Sequence, residues 1–395
     1  MNKIVLAFSG GLDTSFCVPY LKNERGMEVH TVLVNTGGFS KEEETRIRER
    51  ALSLGAAAHT TVDAVEEYYA KGIRYLIFGN ILKNATYPLS VSSERVFQAL
   101  AVLRHARKIG ATHAAHGSTG AGNDQVRFDL VFEVMAPDIK IIAPVRELAL
   151  SRQEEIDYLA ANGCTLAWEK AKYSINQGLW GTSIGGAETL KSDTCLPASA
   201  YPSQPAVTAP EKITIAFHKG EPAALNGKPL PPVELIRQLN ATAAGFAIGR
   251  DTHVGDTIIG TKGRVAFEAP APMIIIKSHH LLEKHTLTKG QLYWKDQLAG
   301  WYGQLMHEAQ YLDPLARNIE TFLEATQQFV SGVVSVELMP YHFAVLGCSS
   351  PHDLMNAKFG AYGETSKSFT GADVEGFTKI LANPLKIYYS VHEND

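Results

Sequence analysis

Ala7-Phe8-Ser9-Gly10-Gly11-Leu12-Asp13-Thr14-Ser15 decides the reading of this chain. The apolar run Ile4–Phe8 leads into it, as expected of a strand buried on both faces of a parallel sheet. A helix is expected to follow, from about Asp13 to Asn23. Gly10 and Gly11 lack Cβ, so the backbone can turn tightly and approach an anion. Ser9, Thr14 and Ser15 add hydroxyls. The helix N-terminus adds unpaired N–H groups and the positive end of its dipole. This is a phosphate cradle by construction. No GxxxxGK[ST] occurs, which argues against the γ-phosphate chemistry of the P-loop NTPases, and no GxGxxG follows the first strand.

Outward from that loop, short apolar runs alternate with helical patterns. Val29–Val34 and His59–Val62 read as strands, and Asp63 can cap the helix after it. Ser40 with Glu43 forms a capping box that opens a charged helix ended by Gly55. The charge run Lys41–Arg50 reads as a solvated helix face. Val96–Ile109 is helical by pattern, Thr112–His116 and Ile139–Ala143 are strands, and a helix runs from Ser151 to about Asn162. The alternation predicts an α/β fold with a parallel sheet covered by helices on both faces.

The pattern then changes. Leu196–Pro210 contains four prolines and reads as an extended connection. Lys212–Phe217 and Asn226-Gly227 look like hairpin material, and Pro232–Ala244 looks helical. Short β segments surround Thr257–Phe267. Leu281–Gln328 is mainly helical, with Asp313-Pro314 as a helix start. Gly332–Leu346 alternates like antiparallel strands. Residues 1–165 are therefore read as a nucleotide-binding domain, 166–365 as an α+β domain and 366–395 as an oligomerisation segment.

The 395 residues are 45% hydrophobic and 20% charged, enough to bury a full core. A net charge of −4 argues against a nucleic-acid partner or a polybasic membrane binder. No run approaches the ~18 apolar residues of a membrane span. The four cysteines, Cys17, Cys164, Cys195 and Cys348, form no CxxC and read as reduced thiols of a cytoplasmic protein. His279, His280 and His285 do not form a metal-ligand pattern. No metal-ligating side chain is singled out. The Met, Trp and Tyr residues of Tyr293–Tyr311 are expected to pack a helix interface.

A second polar stretch, His116 to Asp129, follows a later strand. Ligands of open parallel sheets bind at the carboxyl ends of strands, so both loops can face one crevice. Its glycines permit close backbone approach. Thr119, Asn123, Asp124, Gln125 and Arg127 supply donors, an acceptor and a fixed cation. That chemistry suits a small zwitterion, with Arg for a carboxylate and Asp for an ammonium.

SGGxD[ST] resembles the loop of the PP-loop ATP pyrophosphatases, whose adenine nucleotide alpha hydrolase-like fold the N-terminal domain is expected to share. That resemblance implies ATP cleaved between the α and β phosphates, an adenylated intermediate, and a loop that holds the leaving pyrophosphate. Further motifs follow in order: Tyr87-Pro88-Leu89 with Ser92 and Arg95; Gly122-Asn123-Asp124-Gln125-Val126-Arg127-Phe128; Ile141–Glu147; Tyr173-Ser174-Ile175 with Leu179 and Ser183; and Gly260, Lys262 and Arg264 before Glu268. Together they resemble the argininosuccinate synthetase family.

The resemblance implies that the ureido oxygen of citrulline attacks the α-phosphorus of ATP, and that the amine of aspartate then displaces AMP. Ala7, Phe8, Ser9, Gly10, Gly11, Leu12, Asp13, Thr14, Ser15, the backbone near Val34, and Gly117 would hold ATP, with the Mg²⁺ that accompanies it. Thr119, Asn123 and Asp124 would hold aspartate. Tyr87, Ser92, Arg95, Asn123, Arg127, Ser174 and Ser183 would line the citrulline site. Asp13, Asp124 and Arg127 are the candidate catalytic residues, and a homotetramer is implied. Two other classes compete with this reading. A tRNA-modifying PP-loop enzyme is opposed by the absent CxxC and the acidic balance. A nucleotide-binding protein without turnover is opposed by the retained Asp13, Asp124 and Arg127.

Some positions depart from the family's pattern. Asn35 replaces a common Asp, and Ala121 a common Lys. Gly255 and Phe267 stand where a Glu and a Tyr are usual. A missing carboxylate would leave a substrate ammonium unpaired at a cost of roughly 3–5 kcal/mol if buried. Three readings stay open: Asp256 substitutes, the ammonium binds elsewhere, or the substrate is an Nα-acylated citrulline (acetyl or succinyl).

Overall fold

The computed structural model describes residues 2–164, 172–356, 363–364 and 368–392. Five parallel strands build the N-terminal sheet: β1 (Lys3–Ala7), β2 (Glu28–Asn35), β3 (Ala58–Asp63), β4 (His113–Ala115) and β5 (Lys140–Ile142). Their spatial order is β3-β2-β1-β4-β5. Alternate residues of β1 enter opposite cores. Ile4 and Leu6 pack with Phe16 and Leu159, while Val5 packs with Val96 and Phe97. Both faces being covered explains why the strand reads as unbroken apolar sequence. The strand order reverses between β1 and β4, so the loops that follow them open onto one crevice.

The expected helices are present at Leu12–Asn23, Lys41–Ser53, Arg95–Lys108 and Arg152–Ala161. Ser40 and Glu43 close the capping box, and Asp63 accepts from the N–H of Val65. One further helix, Asp124–Met135, occupies what the sequence presents as a polar loop.

The charged helix Lys41–Ser53 is not a purely solvated face. Ile47 is buried against the phosphate loop, where a Cβ on Gly10 would lie 3.1 Å from it. Arg50 reaches the Gly10 carbonyl. Buried Glu44 accepts from Asn35 Nδ2 at 2.7 Å. The helix braces the cradle, and charged side chains at the inner edge do the bracing.

The second half carries two antiparallel sheets. β6 (Ser174–Gly178), β7 (Gly181–Gly185), β11 (Arg250–Asp256) and β12 (Lys262–Glu268) form one, in the order β11-β12-β7-β6. β8 (Glu211–His218), β9 (Glu221–Leu225), β10 (Lys228–Pro229), β13 (Gly332–Met339) and β14 (His342–Ser349) form the other, in the order β10-β9-β8-β13-β14. Asn226-Gly227 turns β9 into β10. The helix Pro232–Ala244 falls on its expected residues. The next begins at Pro270 rather than Leu281 and runs to Thr286, with proline in its first turn, where the missing N–H costs nothing. Helices Lys289–His307 and Pro314–Thr326 follow, the latter capped by Asp313. One hydrophobic cluster runs through both halves, and Trp180 donates from Nε1 to the Pro88 carbonyl at 3.0 Å.

Within the aromatic stretch, Tyr302, Met306 and Tyr311 are buried while Tyr293, Trp294 and Trp301 face outward. The helix Gly371–Val391 buries none of its residues, and Phe377, Ile380, Leu381 and Leu385 are all exposed on it. The expected domain boundaries at 165/166 and 365/366 lie outside the described residues.

Candidate active site

The crevice predicted from the strand order is a cleft of about 880 Å³ between the N-terminal sheet and the β11-β12-β7-β6 sheet. Ala7, Phe8, Ser9, Gly11, Leu12, Asp13 and Thr14 line one end with Val34 and Gly117. Gly10 and Ser15 do not line it. The positive φ of 76° at Gly10 turns its carbonyl to Arg50, and Ser15 is fully buried, its hydroxyl without a partner among the described residues. No side chain caps the helix after Gly11, so its N-terminal N–H groups stay open to the cleft. The two loops approach closely: a Cβ on Gly117 would lie 3.0 Å from the backbone N of Thr14.

The other end gathers Tyr87, Ser92, Arg95, Thr119, Asn123, Asp124, Arg127, Ser174 and Ser183. The helices Arg95–Lys108 and Asp124–Met135 aim their first turns at each other here. Asp124 accepts from Arg95 Nε at 2.9 Å and from Arg127 Nη1 at 2.7 Å. Burial opposes its charge, yet the two guanidinium groups hold the carboxyl at about 2. The row Arg95–Asp124–Arg127 therefore presents one net positive charge. Arg127 is pinned further by the His307 carbonyl at 2.9 Å, and Arg95 by Gln98 Oε1 at 2.8 Å and Asn176 Oδ1 at 3.1 Å. Two fixed guanidinium groups match carboxylate or phosphate oxygens.

Hydroxyls complete the pocket. The Tyr87 hydroxyl lies 3.2 Å from Ser183 Oγ and 3.3 Å from Ser90 Oγ. Ser92 Oγ is buried without a partner among the described residues. Asn123 Oδ1 accepts from the Ile258 N–H at 2.9 Å, tying the second loop to the β11–β12 turn. Phe267 is fully buried behind Tyr87, with ring centroids 5.4 Å apart, and does not line the cleft. Gly255 does line it. So does Asp256, whose carboxylate is paired with Lys262 at 2.6 Å.

Two family models match this chain. Residues 3–165 match "Arginosuccinate synthase N-terminal HUP domain", and residues 173–388 match "Arginosuccinate synthase C-terminal domain". The argininosuccinate synthase of Xanthomonas axonopodis pv. citri is 39% identical over 98% of this chain and 95% of its own length. That of Methanocaldococcus jannaschii is 38% identical over 97% of each chain. That of Synechococcus is 35% identical over 99% and 98%. The chain belongs to the argininosuccinate synthase family.

Several residues of this family member's cleft escape a reading by motif. Glu94, adjacent to Arg95, is buried and accepts from Thr36 Oγ1 at 2.8 Å. Burial pushes its carboxyl up to about 7, against the pull of Arg95 and Thr36. Asn176 anchors Arg95 from β6. Glu155 lies behind the phosphate loop beside Asp13. Burial raises both carboxyls, and the charge of Asp13 raises Glu155 further. His253 stacks on Tyr87 with ring centroids 5.2 Å apart. The adjacency of Glu94 to the Arg95 motif residue was a signal available in the sequence. The other three are brought in by tertiary packing alone.

Proposed function

We propose that this chain condenses citrulline with L-aspartate, using ATP, to give argininosuccinate, AMP and pyrophosphate. The observation that carries this reading is the convergence of the open helix N-terminus after Gly11 and the Arg95–Asp124–Arg127 row on a single cleft. One end suits a polyphosphate and the other suits amino acids.

The ureido oxygen of citrulline attacks the α-phosphorus of ATP. The bond from that phosphorus to the bridging oxygen breaks, and pyrophosphate leaves into the uncapped N–H groups at the start of the helix Leu12–Asn23. The aspartate amine then adds to the activated ureido carbon, loses its proton, and AMP departs with the original ureido oxygen. No protein nucleophile is required. The protein orients three reactants and stabilises charge on the pyrophosphate and at the tetrahedral carbon. Tyr87, Ser92, Arg95, Arg127, Ser174 and Ser183 hold citrulline in this reading, and Thr119, Asn123 and Asp124 hold aspartate. Val34 and Gly117 flank the nucleotide.

Mg²⁺ is bound mainly through phosphate oxygens and water, with one or two carboxylates. Asp13 lines the cleft, and Glu155 behind it carries a buried oxygen without a partner among the described residues, so a hard-oxygen donor set is present. We assign Asp13 as the carboxylate that would hold the ion, whose chemistry is to neutralise phosphate charge. We further propose a cytoplasmic homotetramer, in which the exposed apolar face of Gly371–Val391 is covered by a second copy. The test of function is to measure AMP and pyrophosphate release in equal amounts with citrulline and aspartate, with argininosuccinate identified by mass. Pyrophosphate release that ignores citrulline would overturn it.

A further inference from the structure

Gly255 faces the cleft where β11 passes Tyr87. A Cβ there would lie 2.7 Å from His253 Nε2 and 3.2 Å from Asn84 Nδ2. Gly255 is therefore a notch in the strand only because it lacks a side chain: two nitrogens close against its Cα, and any Cβ would have to displace the imidazole. Asn84 spends one hydrogen on the Val254 carbonyl at 3.0 Å and has a second to offer. His253 is 6% exposed and held between Tyr87 and His307, whose ring lies 6.5 Å away. Its Nδ1 is buried without a partner among the described residues. A buried N–H without an acceptor is the costlier orphan, so the proton is assigned to Nε2, the nitrogen at the notch. Burial and the nearby Lys83 hold the ring below its ordinary titration range, so it is neutral at pH 7. The notch thus offers N–H donors and repels an ammonium. Asp256, which also lines the cleft, is already paired with Lys262.

We propose that His253 is a specificity residue of the ureido-substrate pocket, its Nε2–H donating across the Gly255 notch to an oxygen at the substrate's amino-acid end. This rests on the function proposed above. The oxygen is either the α-carboxylate of citrulline or the carbonyl of an acyl group on its α-nitrogen. Both are acceptors at the same end of the molecule, and the experiment separates them.

Pyrophosphate release is measured for wild type, His253→Ala, His253→Gln and Gly255→Ala, with citrulline or N-acetylcitrulline as the ureido substrate. His253→Ala raises KM for the productive ureido substrate about tenfold, the worth of one hydrogen bond, with KM for ATP and aspartate unchanged. His253→Gln, which keeps an N–H donor, recovers part of that loss. Gly255→Ala displaces the ring and reproduces the His253→Ala pattern. A penalty on citrulline, shared by N-acetylcitrulline where that is turned over, identifies the carboxylate, which both carry; with both turned over, one confined to N-acetylcitrulline identifies the acyl carbonyl. A KM unchanged within about twofold, or all three KM values rising together with a fall in Tm, overturns the proposal. Absence of pyrophosphate release by wild type with either ureido substrate overturns the functional reading itself, and this inference with it.

Discussion

Arg95 and Asp124 are joined at 2.9 Å, Nε to Oδ2, across the facing first turns of two helices that the parallel sheet sets side by side. Asp124 also binds Arg127, so one carboxylate keeps two buried guanidinium groups aimed into the cleft. Replacing Asp124 with Asn keeps the shape and removes the charge. The two guanidinium groups are buried but the Asp124 side chain is 36% exposed, so Asp124→Asn lowers urea stability by about 1–3 kcal/mol, less than a fully buried pair would cost. It also lowers kcat/KM by more than about a hundredfold, because the two arginines separate. A variant of wild-type stability and activity would show that the pairing is incidental.

Gly117→Ala places a methyl group 3.0 Å from the Thr14 backbone N, so one of the two loops shifts. The expected result is a KM for ATP raised about tenfold or more, with the KM values for the amino acids changed less. Steady-state kinetics with each substrate varied in turn decides this.

Asn35 is an amide for a physical reason. Its Nδ2 donates to Glu44 Oε1 at 2.7 Å, and its Oδ1 accepts from the Gly37 N–H at 2.8 Å. Asn35→Asp sets two carboxylates against each other. We predict a loss of about 1–3 kcal/mol at pH 7. In wild type the Glu44 carboxyl is lowered: burial opposes this, and the bonds from Asn35 and Lys41 prevail. Its contribution to stability is therefore lost as pH falls. In the variant the sign reverses, since the pair gains a shared proton, and the deficit shrinks below about pH 5. Urea unfolding at pH 5 and pH 7 checks both signs.

Glu94 carries a testable pH signature. Its carboxyl is raised from 4.5 to about 7 by burial. The folded form holds a proton that the unfolded form releases, so this group's contribution to stability falls as pH rises through that window. The swing is about 3 kcal/mol at most. Glu94→Gln cannot ionise, so it removes that slope. Stability of both proteins at pH 5 and pH 8 gives the comparison, and parallel slopes would contradict it.

Ending the chain before residue 368 removes the helix Gly371–Val391, none of whose residues is buried. The prediction is a lower assembly mass by light scattering, with the near-ultraviolet spectrum of the body retained. An unchanged mass would place the interface elsewhere.

The local signals in the sequence were strong where a single residue type does one job. The Ser40–Glu43 box, the proline-led helix Pro232–Ala244, the Asp313 cap and the buried run of β1 all follow from short-range rules. The helix Asp124–Met135 was hidden because polar residues fill its first turn and no side chain caps it. Its polarity serves the cleft rather than the helix. The Pro270 start was hidden by a Pro-Ala-Pro run that reads as extended. In the site, the motif residues of both loops were legible because glycine and charge at fixed spacing carry their chemistry in the sequence. Arg50, Asn176, Glu155 and His253 were not, since each acts through a neighbour far away in the chain. Phe267 packs behind Tyr87 rather than lining the cleft, a pairing visible only in three dimensions.

The most direct test of the central claim is the fate of the ureido oxygen. With citrulline labelled by ¹⁸O at that position, the account predicts that one label appears in AMP and none in pyrophosphate, because that oxygen attacks the α-phosphorus. Label in pyrophosphate or in inorganic phosphate would mean attack at another phosphorus and would contradict it.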